Sequence, residues 1–382
     1  MLMPIDPLAK PRNIRRTALL IAAGILALII GAVGTWLVLK LVFPPEVPKN
    51  SQTNTSSPSP QPSQKTEIAA GQQLDITKNY GNKYANGLLP VGDSKYSTTE
   101  AKKGSVYACS QYAQSFATDK GGAGTRGPWF VNNNTQYDIN KKSRVSGNVS
   151  WKGSFTNVVA NDKRTITTND LPLSHATGTF PIASSDPAYS YDRNPNTISA
   201  QSLSYNLNGS PTYGAPQCIG GEVGIMLTGV SLFSAFDAGG RDAGAWEVQD
   251  DCAGHPQVSG QYHYHTLSSC IKDVSVHTII GFALDGYPIT GPQVGPNNIL
   301  TTDDLDECHG TISQITLDGK SVTGYHYVMT QDFPYSVSCF RSTAVQPPMP
   351  QQQPGTQQQP PTQQQPQSTQ PPQQAFQTPP LH

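Results

Sequence analysis

Residues 282–289 read FALDGYPI, and the same grammar recurs at residues 225–233 (IMLTGVSLF) and 315–322 (ITLDGKSV). Each is an apolar run, an Asp-Gly or Thr-Gly pair, then a second run. Asp-Gly between two apolar runs is a strong hairpin signal, because the tight turn needs positive φ at its centre and glycine supplies it without steric cost. Around these three stretches, residues 145–155 (VSGNVSWKGSF) and 163–168 (KRTITT) alternate like half-buried strands. The best candidate for a helix beyond the N-terminal region is residues 105–117. The expected fold is therefore mainly β: antiparallel hairpins in a sandwich-like extracellular domain, stapled by disulfides and preceded by one transmembrane helix.

A longer echo runs through the same region. Asp251-Cys252-Ala253-Gly254 leads to Tyr262-His263-Tyr264-His265 and then Cys270; Glu307-Cys308-His309-Gly310 leads to Tyr325-His326-Tyr327 and then Cys339. Both run acid, cysteine, a glycine two positions on, a YHY strand and a closing cysteine. Two similar β units, each stapled within itself, are implied. The expected pairs are Cys252–Cys270 and Cys308–Cys339, which leaves Cys109 with Cys218. All 6 cysteines lie beyond the hydrophobic segment, and none forms a C-x-x-C pair. An even count of this kind in an exported domain favours disulfides over zinc or thiol redox chemistry.

Export is read from the N-terminus. Residues 17–39, TALLIAAGILALIIGAVGTWLVL, contain no charge, and about 20 apolar residues at about 1.5 Å each span a bilayer. The run exceeds a cleavable signal's apolar core and ends in bulky residues without an A-x-A site. Lys10, Arg12, Arg15 and Arg16 precede it, which keeps that end cytoplasmic. The expected layout is a basic cytoplasmic segment (1–16), a transmembrane signal-anchor (17–43), a Pro/Ser/Thr-rich linker (44–65), an N-terminal β region (66–169), a second β domain (170–344) and a Gln/Pro-rich disordered tail (345–382). The protein is thus expected in a membrane, single-pass, with its C-terminal bulk extracellular or periplasmic and open to cell-wall or surface partners. Charged residues are 13% of the 382 and the net charge is −1. That excludes the broad basic footprint of a nucleic-acid binder.

The segments LPLSHATGTFP (171–181), NPNTISAQ (194–201), GGRDAGAWEVQD (239–250), DDCAGHPQVSGQYHYHTLSSC (250–270), GFALDGYPITGP (281–292), LDECHG (305–310) and FPYSVSCFR (333–341) stand in this order. Together, over residues 170–341, they resemble the YHYH-domain family. The family often has a histidine after C-H-G, where this chain has Thr311, and often a second complete YHYH, where this chain has Val328. The resemblance implies kinship of fold, and a weakened second half-site if the family's histidines hold metal.

On a strand, His263 and His265 share one face and Tyr262 and Tyr264 the other. Two histidines at i and i+2, about 6.5 to 7 Å apart at Cα, can reach one divalent ion, and imidazole suits zinc or copper. His255, His309 and His326 are the further candidate ligands, with His175 and His277 behind them. The alternative is a hydrogen-bonded network in which the histidines satisfy buried carbonyls and carboxylates. The tyrosines read as core. Asp237, Arg241, Asp242, Glu247, Asp250 and Asp251 gather just before the histidine strand. They offer a carboxylate ligand or general base, or else a solvated turn with an Arg–carboxylate pair. No H-E-x-x-H, no G-x-S-x-G and no phosphate loop assigns a reaction. Three functions follow: a metal-binding surface domain, a metal-dependent extracellular enzyme on a wall polymer or glycan, and a metal-free adhesion or scaffold module.

Overall fold

A computed structural model describes residues 71–112 and 125–349. The basic segment, the expected membrane anchor, the linker and nearly all of the Gln/Pro-rich tail lie outside the described residues. Among the described residues no helix is long and apolar enough to cross a membrane.

The chain folds around an eight-stranded sheet. Its strands, in chain order, are β1 (Glu222–Met226), β2 (Ser231–Phe233), β3 (Gly254–Pro256), β4 (Tyr262–Tyr264), β5 (Ile279–Ala283), β6 (Pro288–Thr290), β7 (Gly310–Leu317) and β8 (Lys320–Val328). Across the sheet they stand in the order β3-β4-β2-β1-β5-β6-β8-β7, so the second four mirror the first four about the β1–β5 seam. Each half is two hairpins, β1–β2 with β3–β4 and β5–β6 with β7–β8. Within each half the second hairpin docks parallel onto the first, Leu232 opposite Tyr264 and Ile289 opposite Tyr327. The sheet is thus mainly antiparallel, as expected, with these two parallel pairs as the exceptions. A parallel neighbour needs a crossover of about a dozen residues or more, and the segments after β2 and β6 supply it.

All three Gly-centred stretches turn where expected. Only Asp318-Gly319, with φ of 49° and 75°, makes a two-residue turn. The loops at Gly229 (φ 87°) and Gly286 (φ 92°) are longer, because pairing stops at Met226 and Ser231 and at Ala283 and Pro288. At the seam the backbones approach closely: a Cβ on Gly224 would stand 2.6 Å from the Phe282 carbonyl oxygen, and one on Gly281 would stand 2.9 Å from that of Ile225.

The echo between the halves is structural. Asp250 accepts from the backbone N–H of Cys252 and Gly254 and from the Tyr262 hydroxyl; Asp306 accepts from Cys308, Gly310 and Tyr325 in the same way. Tyr262, Tyr264, Tyr325 and Tyr327 are all buried, as an aromatic ring with a hydrogen-bonded hydroxyl permits. The disulfides are Cys252–Cys270, Cys308–Cys339 and Cys109–Cys218. The first two each close one half.

A three-stranded meander, Phe155–Ala160, Lys163–Thr168 and Leu203–Asn208, lies against the central hairpins. Arg164 stacks 3.9 Å from the Phe282 ring centroid, and Tyr205 donates to Glu222 at 2.6 Å. This meander crosses the expected 169/170 boundary, because Lys163–Thr168 pairs with Leu203–Asn208; the two regions form one folded body. Two local expectations fail. Residues 145–155 form only isolated bridges, Val145 to Asp250 and Val149 to Thr177, before the strand begins at Phe155. Gly147 (φ 140°) explains the break, since no regular strand holds that angle. Residues 105–112 are not helical: Val106–Tyr107 is a short strand, and Cys109 is held to Cys218 beside a bridge from Ala108 to Ile219.

Candidate metal centre

Strands β3 and β4 pair antiparallel, which puts His255 directly opposite His263. His265 lies two positions on from His263 and so shares its face. The Cys252–Cys270 disulfide closes the ends of this hairpin. His255, His263 and His265 are each at most 5% exposed, and each offers a ring nitrogen within 4.8 Å of the other two. Phe233 packs on the His263 ring at 4.1 Å between centroids.

The second ring nitrogens set the tautomers. His263 Nδ1 faces the Gln261 carbonyl oxygen at 3.2 Å, and His265 Nδ1 faces that of Ser234 at 2.5 Å. A carbonyl only accepts, so both Nδ1 atoms carry hydrogen and both neutral rings turn an Nε2 lone pair inward. Those two Nε2 atoms stand 3.1 Å apart. Two buried lone pairs at that distance repel unless a cation lies between them or beside them. Backbone carbonyls holding Nδ1–H are also the usual orienting arrangement for metal-ligating histidine.

Glu247 completes the group. It follows a short helix, Ala243–Trp246, whose N-cap Asp242 accepts from the Ala245 N–H. Asp242 is itself fixed by the Gly92 N–H and the Tyr335 hydroxyl. Glu247 Oε2 reaches 3.2 Å from His265 Nε2 and 3.3 Å from His255 Nε2. Burial opposes charge on this carboxylate, but His255 and then His265 outweigh it and hold its pKa below the usual range. Burial, followed by the charges of His255 and His265, pushes His263 well below the ordinary imidazole value. His265 is lowered as well, by burial, against the pull of Glu247. In His255 the burial penalty is the largest influence, yet the charge and hydrogen bond of Glu247 together turn the shift upward. Its Nδ1 meets the amide of Asn194 at 3.4 Å, which leaves the ring proton on Nε2, toward Glu247. The cluster forms one wall of a cleft of about 600 Å³ that Phe233, Asn194 and Arg241 also line.

The other expected ligands are elsewhere. His326 occupies in β8 the position His263 has in β4, five strand spacings away across the sheet, or about 24 Å at roughly 4.8 Å each. Both its nitrogens are engaged, Nδ1 with the Thr290 hydroxyl at 2.9 Å and Nε2 with that of Ser313 at 2.8 Å. Thr311 and Val328 stand where His255 and His265 stand in the first half. His309 is buried against the Thr330 hydroxyl, and burial pushes its pKa down to about 3. Neither joins the cluster: sequence equivalence between halves is not proximity. His175 bonds the Tyr264 hydroxyl beside the Cys252–Cys270 disulfide, whose oxidised sulfurs are not thiolate ligands. His277 bonds the Gln314 carbonyl.

Of the acidic group, Asp237 pairs with Arg241 at 2.6 Å, Asp250 takes the Tyr262 hydroxyl, Asp251 is exposed, and only Glu247 faces the histidines. The carbonyl of Ser234 and the amide of Asn194 were not legible as site residues. Both come from irregular segments with no periodic signal, although Asn194 lies in one of the motifs quoted above.

Fold and site define a class: a disulfide-stapled β protein of two related halves, one of which holds a buried three-histidine cluster. The family model described as YHYH protein matches residues 202–298, which contain His255, His263, His265 and Glu247 and all of the cleft lining except Tyr112, Asp192, Asn194, Pro195 and Asn196. Over this stretch the chain is similar to the YHYH family, in agreement with the resemblance of its motifs. Comparison with curated proteins and with solved structures finds no match.

Proposed function

We propose that this is a membrane-anchored, cell-surface YHYH-domain protein that binds one divalent transition metal, zinc or copper, through His255, His263 and His265, with Glu247 beside them. One observation carries this reading: the Nε2 lone pairs of His263 and His265 face each other at 3.1 Å in a buried site next to a carboxylate. Imidazole nitrogens with a carboxylate are a zinc or copper donor set. His255 gives up its Nε2 proton on ligation, so binding strengthens as pH rises. Anchoring and export rest on the uncharged run at residues 17–39 and the basic residues before it.

The cleft favours one second reading, a metal-dependent extracellular enzyme acting on a wall polymer or glycan. Three protein ligands and an open fourth position are the catalytic arrangement, and the cleft gives that position access. If Glu247 ligates instead, four protein donors close the shell and the site is structural or sequestering.

The test is elemental analysis of the purified full-length protein in detergent after equilibration with zinc or copper and removal of free ion. A single bound ion per chain is expected, lost in the His263→Ala/His265→Ala variant. A wild-type protein that retains no ion would establish the metal-free scaffold instead.

A further inference from the structure

A second cavity, of about 460 Å³, shares no lining residue with the histidine cleft. Its size falls within the range of small-molecule sites, roughly 300–1,000 Å³. The N-terminal β region and the first half of the large sheet both contribute walls. Lys142 and Arg144 line it, and no aspartate or glutamate does. In a chain with so few charges and a net charge of −1, two basic side chains on a wall without a carboxylate is a specific arrangement; burial, and then the charge of Arg144, hold the Lys142 pKa down to about 7 against the pull of Glu247, Asp192 and Asp242.

Lys142 is 8% exposed. Its Nζ donates to the Glu247 carbonyl oxygen at 2.5 Å and to Gln249 Oε1 at 2.8 Å, both uncharged acceptors, and when protonated it has a third N–H left over for an anion. Arg144 is half-buried, and of its five N–H donors one makes a long contact, 3.4 Å, to the Asp250 carbonyl oxygen. Neither forms an ion pair within 4.0 Å among the described residues. Burying a cation without an opposite charge is costly, and a planar guanidinium with free donors fits an oxyanion in bidentate fashion. The rest of the wall includes the apolar side chains of Leu89, Ile139 and Ile271 and the ring of Tyr84, which suit a hydrophobic body behind the charged head.

We propose that this cavity binds a small organic anion, with its carboxylate or phosphate-type head on Lys142 and Arg144 and its apolar body against Leu89, Ile139 and Ile271. The site is independent of the metal centre, although Lys142 grips the backbone of Glu247.

The experiment is calorimetric titration of the full-length protein, stripped of metal with chelator, with phenylacetate and with phenylphosphonate at matched ionic strength. The two probes share a body and differ in the head, so the tighter one names the head group. Saturable binding at about 1 mM or tighter is expected for at least one of them. Lys142→Gln and Arg144→Gln should each weaken it about tenfold or more, while His263→Ala/His265→Ala leaves it unchanged. Arg144 holds little of the fold, so Arg144→Gln decides the matter if the buried lysine variant does not fold. Failure of both probes to saturate, or wild-type affinity in Arg144→Gln, would overturn the proposal.

Discussion

Replacing His265 by glutamine separates a metal ligand from a packing residue. The glutamine amide nitrogen takes the place of Nε2, 3.1 Å from His263 Nε2 and 3.2 Å from Glu247 Oε2. It is a donor where the histidine offered a lone pair, so without metal it gains two hydrogen bonds. It forfeits the bond from Nδ1–H to the Ser234 carbonyl. At about 1 kcal/mol net for each hydrogen bond, the metal-free variant should lie within about 1–2 kcal/mol of the wild type. With metal the two diverge. A free ion at about a thousand times its Kd stabilises the wild type by about 4 kcal/mol, which at about 2–4 °C per kcal/mol for a body of this size raises Tm by roughly 8–16 °C. The variant, deprived of one imidazole, should shift by less than about a quarter of that at the same ion concentration. Thermal unfolding of the full-length protein with chelator and then with added zinc or copper reads both numbers. A variant that keeps the full metal-dependent rise, or a wild type that shows none, refutes the ligand assignment.

Three further outcomes are expected. Glu222 is buried, and burial raises its pKa from 4.5 to about 7 against the Tyr205 and Gln261 hydrogen bonds. The folded state therefore binds its proton more tightly than the unfolded state, so its contribution is fully present below pH 4.5 and is lost as pH rises through about 7. Glu222→Gln should flatten this fall and gain about 3 kcal/mol over the wild type at pH above about 8; denaturant titrations across that interval that show equal slopes would contradict it. Cys252→Ser/Cys270→Ser opens a loop of sequence separation 18 and should cost about 3 kcal/mol, with weaker metal binding in equilibrium dialysis because it frees the hairpin ends that hold His255 against His263. Tyr262→Phe removes a hydroxyl that donates to both Asp250 oxygens at 2.8 and 3.0 Å. It should lower stability by about 1.5–3 kcal/mol in urea and leave metal stoichiometry as it was.

The hairpins were legible because a glycine beside a polar residue is a local signal, and the shared face of His263 and His265 follows from the period of a strand. The parallel docking of β4 on β2 and the β1–β5 seam were not legible, since non-adjacent pairing leaves no mark in a short window of sequence. The echo between the halves was visible as letters, but letters do not give distance. It marked His326 as a partner of His263, whereas the near-twofold arrangement makes the two equivalent and therefore remote. Glu247 stood among six neighbouring charged residues, and only the short helix before it decides which carboxylate faces the imidazoles.

The mirrored sheet has a practical corollary. No disulfide crosses the β1–β5 seam between the two halves of the sheet; the contact there is backbone against backbone, Gly224 opposite Ala283 and Gly281 opposite Met226. One polypeptide thus carries a wing with a buried histidine cluster and a near-copy whose imidazole is already spoken for by Thr290 and Ser313. Amide exchange compared between β4 and β8 in a single sample would use the second wing as a built-in blank, in which any ion-dependent slowing confined to the first reports ligation free of differences in concentration, detergent or temperature.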